Sequence, residues 1–289
     1  MGTDDEAACG APHWQQTNLV GLPTPLLASI AFNAHPQPLH IGGARESAVG
    51  LFALLDRCGS ADEAREVFAH YMKLAFGLAK PQPRVVANAA QADAAPACAA
   101  EQRRWRTSYL KLLQGWGMDA NGAAGAVLKS WVESRFGLVP TFHKSALARY
   151  PSPAWIAYLE EKTSSRYHSN NVFQQLDLLY EFCQWMLARF QLLGPAPRLT
   201  MWRGSTRCEE QITAGSLRRR RCTMRLNNLV SFSLSPAEAG CFGDWVLQAQ
   251  VPLCKVLFLP GLVDRKLLQG EAEVLAIGGD YSMRASYAD

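Results

Sequence analysis

The sequence predicts an α+β fold, a mostly helical first half followed by a strand-rich C-terminal part. Two observations carry that expectation. Down to Leu193, apolar residues recur at three- and four-residue spacing, the period of a helix with one buried face. After Gly194-Pro195-Ala196-Pro197 the chain changes to short runs of branched and aromatic residues divided by turn formers. Helices grouped before strands, without βαβ alternation or a GxGxxG loop, favour α+β over a doubly wound dinucleotide fold. We place the division at residues 1–195 and 196–289.

In chain order, Ala44 to Arg57 and Ala61 to Leu78 are predicted helices, with Val49, Phe52 and Leu55, then Val67, Tyr71 and Leu74, as their apolar stripes. Gly59-Ser60-Ala61 separates them, Ser60 standing as N-cap and Glu63 completing a capping box. From Lys80 to Ala100 the chain is rich in Pro and Ala and reads as a flexible connection. Helical patterning returns over Glu101–Trp116, Gly122–Phe136, Pro153–Lys162 and Asn171–Leu193. The last buries Val172, Phe173, Leu176, Leu179, Tyr180, Cys183 and Leu187. The predicted strands are Leu199–Trp202, Leu229–Leu234, Trp245–Val251, Lys255–Leu259, Ala272–Ile277 and Tyr281–Tyr287. Pro260-Gly261 and Gly278-Gly279-Asp280 are read as turns.

Composition narrows the function. Hydrophobic residues make up 48% and charged residues 19%, which suits a folded globule. A net charge of +4 is too mild to suggest nucleic-acid binding. Cys9, Cys58, Cys98, Cys183, Cys208, Cys222, Cys241 and Cys254 show no metal-ligand or CxxC spacing, and the histidines form no HExxH, so no metal site is expected. The acidic start, Met1 to Ala11, does not look like a signal peptide, and no run reaches the ~18–20 apolar residues of a membrane span. A cytoplasmic protein is expected. A monomer is expected too, since no heptad pattern is evident.

Three short segments in the strand-rich part carry the chemistry. Met201-Trp202-Arg203-Gly204-Ser205 ends a predicted strand with an arginine and a permissive glycine. Ser231-Phe232-Ser233 puts two hydroxyls on one strand face and turns Phe232 to the other. Gly270-Glu271-Ala272-Glu273 sets two carboxylates on one side at the mouth of a strand, where like charges repel unless they have a purpose. Singly, each segment is an ordinary surface feature; their order along the chain makes a rare composite.

That order resembles the R-S-E class of ADP-ribosyltransferases. Upstream, Asn18-Leu19-Val20-Gly21-Leu22-Pro23, the segment Ala31 to Leu39 (AFNAHPQPL) and Leu51 to Arg57 (LFALLDR) resemble the NAD–dinitrogen-reductase ADP-D-ribosyltransferases, and the likeness spans most of the chain. It implies that residues 196–289 form the NAD-binding β-core and residues 1–195 a cover that shapes docking. It implies NAD as co-substrate and dinitrogenase reductase, the nitrogenase iron protein, as the protein acceptor. Glu273 is then the catalytic carboxylate on the nicotinamide ribose, and Glu271 receives the target guanidinium. Ser231 holds Glu273 or the ribose, with Ser233 as weaker support. Arg203 grips the NAD phosphates, Gly204 lets backbone approach the nicotinamide amide, and Phe242 either lies against nicotinamide or packs in the core. Asp264–Gly270 corresponds to the acceptor-recognition loop, with Arg265 and Lys266 facing an acidic partner. Control by nitrogen or energy status, through a PII signalling protein, is also implied.

Two rival readings are an effector-like arginine ADP-ribosyltransferase with another acceptor, and a catalytically silent NAD-binding module. Arg218-Arg219-Arg220-Arg221 lacks the interleaved aromatics of a nucleic-acid site and reads as a solvated or partner-facing turn near the NAD or docking face.

Overall fold

The computed structural model describes residues 17–78, 107–163, 170–263 and 273–287. The Lys80–Ala100 connection, the Asp264–Gly270 segment and Glu271 lie outside the described residues, as does the start of the helix expected from Glu101.

Two short helices, α1 (Thr24–Leu27) and α2 (Ile30–Ala34), precede a 3-10 turn that leads into α3 (Val49–Leu55). Helix α4 (Ala61–Phe76) starts where the Ser60 hydroxyl accepts the Glu63 amide at 3.2 Å, and it ends at Gly77 in the left-handed region. The Glu63 carboxylate reaches back to the Gly59 amide at 2.8 Å, one residue earlier than a strict capping box.

The buried stripes of α3 and α4 differ from the predicted ones. Leu51, Phe52 and Leu55 face the core while Val49 is 66% exposed; Ala64, Phe68 and Met72 are buried while Leu74 is 72% exposed. Val67 and Tyr71 are only partly buried. Both stripes of α4 obey helical spacing, and the choice falls to tertiary contact: Phe68 stacks on Phe182 with centroids 4.0 Å apart.

Next come α5 (Tyr109–Met118), α6 (Ala123–Phe136), a small hairpin of β1 (Phe142–His143) with β2 (Ser145–Ala146), and α7 (Pro153–Lys162), whose bounds match the expectation. The long α8 (Asn170–Phe190) buries the expected apolar face, with Phe173 only partly covered. It also buries two acids one turn apart. Asp177 accepts from Trp131 Nε1 at 2.7 Å and Arg135 Nε at 2.8 Å; Glu181 accepts from the Ile41 amide at 2.7 Å and Arg45 Nε at 2.5 Å. Each acid is thus paired as burial requires.

The remaining strands are β3 (Arg198–Ser205), β4 (Ile212–Ser216), β5 (Arg221–Ser233), β6 (Trp245–Pro252), β7 (Val256–Phe258) and β8 (Glu273–Tyr287), with helix α9 (Pro236–Gly240) after β5. They form an antiparallel six-stranded sheet ordered β4-β5-β3-β6-β8-β7, in which β5 also pairs with β8. The pairings β3–β5, β5–β8, β8–β6 and β6–β3 close a circuit. That closure brings the end of β3, the end of β5 and the start of β8 together. Helix α8 packs on β7, α4 and α5, and α6 packs on β5, so the main core lies between helices and sheet.

Two sheet features depart from the sequence reading. Strand β4 and the first half of β5 carried no predicted strand. Gly278-Gly279-Asp280, read as a turn, lies inside the single strand β8. Here β5 bulges at Asn227-Asn228, and the glycines admit it: a Cβ on Gly278 would lie 1.6 Å from Asn227 O. The Asn228 side-chain amide fastens the bulge to α6 through Lys129 O and to the chain just beyond that helix through Leu138 O, both at 2.8 Å.

Candidate active site

The closed circuit lines up one cross-sheet row. Trp202 on β3 is the register partner of Ser233 on β5, and Ser233 is the partner of Glu273 on β8. Arg203, Ser231, Ser233 and Glu273 therefore meet at one wall of a cleft of about 570 Å³. That volume falls within the range that holds small organic ligands. Gly204 and Phe242 line it as well, and so does the segment from Trp116 to Ala120 at the end of α5.

Glu273 is 7% exposed at the first position of β8. The Ser231 hydroxyl donates to its Oε1. Trp116 Nε1–H lies 2.9 Å from the same oxygen and 3.0 Å from Ser231 Oγ. Arg203 is half-buried and donates from Nη1 to the Ser231 carbonyl at 2.9 Å, one use of its five N–H groups. Burial pulls its pKa down, opposed by the nearby Glu273 carboxylate and the Cys208 thiol. A guanidinium keeps its proton against such a pull, so the cleft holds a fixed cation beside a fixed carboxylate.

Ser233 is engaged elsewhere. Its hydroxyl accepts the Ser235 amide at 3.0 Å and donates to Glu238 Oε2 at 3.1 Å, tying the end of β5 to α9. Gly204 also has a reason in the structure that the sequence did not suggest. A Cβ there would meet Ala239 O at 1.9 Å and Phe242 Cβ at 2.9 Å, so the glycine admits the backbone of the α9 turn against β3. Phe242 is 52% exposed at the cleft, which removes core packing as its role. Phe232 turns away into the core beside Tyr281, at 5.7 Å between ring centroids.

The four arginines from 218 to 221 are exposed at the β4–β5 turn, with Arg220 in the left-handed region. They stand at the far end of β5 from Ser231, roughly 30 Å along the strand at ~3.3 Å per residue. That separates them from the cleft, so of the two expected places, near the NAD face or the docking face, the first does not hold.

Trp116 belongs to no sequence motif, and the sequence leads one to expect no site residue in the helical half. Its contact with Glu273 joins positions 157 residues apart, beyond any local pattern. The available hint was chemical: a largely buried indole keeps an N–H that needs an acceptor.

Residues 17–285 match the family model described as dinitrogenase reductase ADP-ribosyltransferase. A curated protein of Rhodospirillum rubrum, the NAD(+)--dinitrogen-reductase ADP-D-ribosyltransferase, is 47% identical over 271 residues, covering 94% of this chain and 95% of the relative. No solved structure matches significantly.

Proposed function

Because the chain belongs to the dinitrogenase reductase ADP-ribosyltransferase family, we propose that it transfers ADP-ribose from NAD to an arginine of dinitrogenase reductase, releasing nicotinamide. The observation that carries the site assignment is the Glu273 carboxylate, fixed by Ser231 in the wall of a cleft that Arg203 also lines. The cleft suits NAD chemically: a cation for the phosphates, a carboxylate for the ribose, and the exposed ring of Phe242 for the nicotinamide.

The reaction breaks the bond between nicotinamide and C1′ of the ribose and passes through an oxocarbenium-like state. A carboxylate preset beside that carbon stabilises the developing positive charge and holds a ribose hydroxyl, the role assigned to Glu273. Arg203 positions the dinucleotide through its phosphates. The incoming guanidinium is cationic and a poor nucleophile, so a base must take a proton as its nitrogen bonds to C1′. Glu271 is assigned that task from the family resemblance. The cytoplasm is the proposed setting, and among the described residues no helix is long and apolar enough to cross a membrane. Regulation through a PII signalling protein rests on the resemblance alone.

The test is transfer of labelled ADP-ribose from NAD to purified dinitrogenase reductase by the wild type, Glu273→Gln and Glu271→Gln. Label on a single arginine, lost in both variants while Glu271→Gln still cleaves NAD, is the expected result. NAD cleavage without label on the iron protein points to another acceptor. Folded protein that binds but never cleaves NAD points to a silent binding module.

A further inference from the structure

We propose that Trp116 is a positioning residue for the catalytic carboxylate, so that the helical half completes the active site by holding Glu273 through an indole N–H. The inference rests on the assignment of Glu273 made above. Trp116 is 4% exposed, and its Nε1–H points at Glu273 Oε1 and Ser231 Oγ together, at 2.9 Å and 3.0 Å. An indole only donates. Since the Ser231 hydroxyl also donates to Oε1, two donors from opposite halves of the chain converge on one carboxylate oxygen. That fixes the plane of the carboxylate before substrate arrives. A preset dipole or charge stabilises a transition state without the cost of turning into place.

The packing behind the indole is built to hold it there. Gly115 lets α5 approach α6 so closely that a Cβ would lie 2.5 Å from Ala124 Cβ. Gly125 on α6 admits the turn after α5, where a Cβ would meet Ala120 O at 2.1 Å. The turn between the helices is pinned by Asp119, which accepts the Asn121 amide on its carboxylate at 2.8 Å and the Gly122 amide on its carbonyl at 3.1 Å. Lys129 bonds Asn121 Oδ1 at 3.0 Å and stands 6.0 Å from the centre of the Trp116 ring. Two glycines and a pinned turn therefore set the depth of Trp116 against β5 and β8.

The experiment compares NAD cleavage by the full-length wild type, Trp116→Phe, Trp116→Tyr and Glu273→Gln, with kcat and KM for NAD measured separately. Loss of one hydrogen bond to a charged group predicts a fall in kcat of about ten- to hundredfold in Trp116→Phe, with KM changed less than about threefold. The hydrogen bond is read independently of activity in protein labelled with 5-fluorotryptophan. Of its eight indole signals, the one missing from whichever Trp116 variant folds should move when Glu273 becomes Gln. Unchanged kcat in Trp116→Phe, a change confined to KM, or an unmoved Trp116 signal overturns the inference. If Glu273→Gln itself keeps wild-type kcat, the assignment of Glu273 fails first, and the inference with it.

Discussion

Glu273 stands opposite Ser233 in the β5–β8 register, yet its carboxylate is held by Ser231, two residues away on the same face. The diagonal pairing divides the labour of the Ser-x-Ser segment. Ser231 serves the carboxylate, while Ser233 turns to Ser235 and Glu238. Diagonal neighbours on one sheet face are close enough for such contact.

The first prediction follows from that division. Ser231→Ala removes a donor to the carboxylate and should lower kcat for NAD cleavage by about ten- to hundredfold. Ser233→Ala removes the hydroxyl that ties the end of β5 to Ser235 and Glu238 and should cost about 1 kcal/mol of stability with a much smaller effect on kcat. Steady-state kinetics beside urea denaturation of both variants checks this. Equal kinetic losses would mean that the two hydroxyls act alike.

Arg203 tests a second distinction. Its forked donors bond the Ser231 carbonyl from one nitrogen while the side chain still lines the cleft. A lysine keeps the charge but not the fork, so Arg203→Lys should raise KM for NAD roughly tenfold or more, with kcat falling less. NAD titration of cleavage rates reads this directly. A lysine variant with wild-type KM would remove Arg203 from NAD binding.

A third prediction concerns packing beside the cleft and not charge. Gly204→Ala drives a methyl into Ala239 O, and rigid backbone on both sides leaves little room to yield. The variant should lose at least about 2 kcal/mol, seen as a fall of several degrees in Tm. Phe242 should shift with the α9 turn, raising KM for NAD as well. A Gly204→Ala protein with wild-type Tm would show that the turn moves freely.

Much of this was legible in the sequence because local rules governed it. Pro153–Lys162 is bounded by its own Ser152 cap and Pro153, and its ends matched. The convergence of Arg203, Ser231 and Glu273 is no local rule; it was implied by the resemblance of their order along the chain to the R-S-E class. What was hidden depended on distant partners. The rotation of α4 is chosen by Phe182, more than a hundred residues on. Gly278-Gly279-Asp280 looked like a turn because glycine permits both a turn and a bulged strand, and only Asn227 on β5 decides between them. Gly204, expected to open toward a ligand, lines the cleft and also admits the backbone of Ala239, a second demand that no local pattern shows. Trp116 carried no motif, since its function lies in where two halves of the fold meet.

The last prediction concerns a buried cation outside the cleft. Lys255 is fully buried, donates to Gly278 O at 3.3 Å, and lies 5.4 Å and 5.1 Å from the rings of Phe32 and Tyr281. Burial pushes its pKa down to about 7, with the Cys254 thiol and Asp280 pulling the other way. In the unfolded chain the same lysine titrates near its ordinary value of about 10.4. Between those limits the unfolded state holds a proton that the folded state has shed, so stability rises with pH across that window. Below pH about 7 both states are charged, and the cost of burying the charge is felt in full. Lys255→Met should therefore be more stable than wild type at about pH 6, with an advantage that shrinks by about pH 9.5. Lys129, with a pKa lowered to about 8 by burial, titrates in the same sense in both proteins, so the difference between them isolates Lys255. Urea denaturation at a series of pH values measures it. An advantage that stays constant with pH would place the lysine proton in the same state throughout, folded or not.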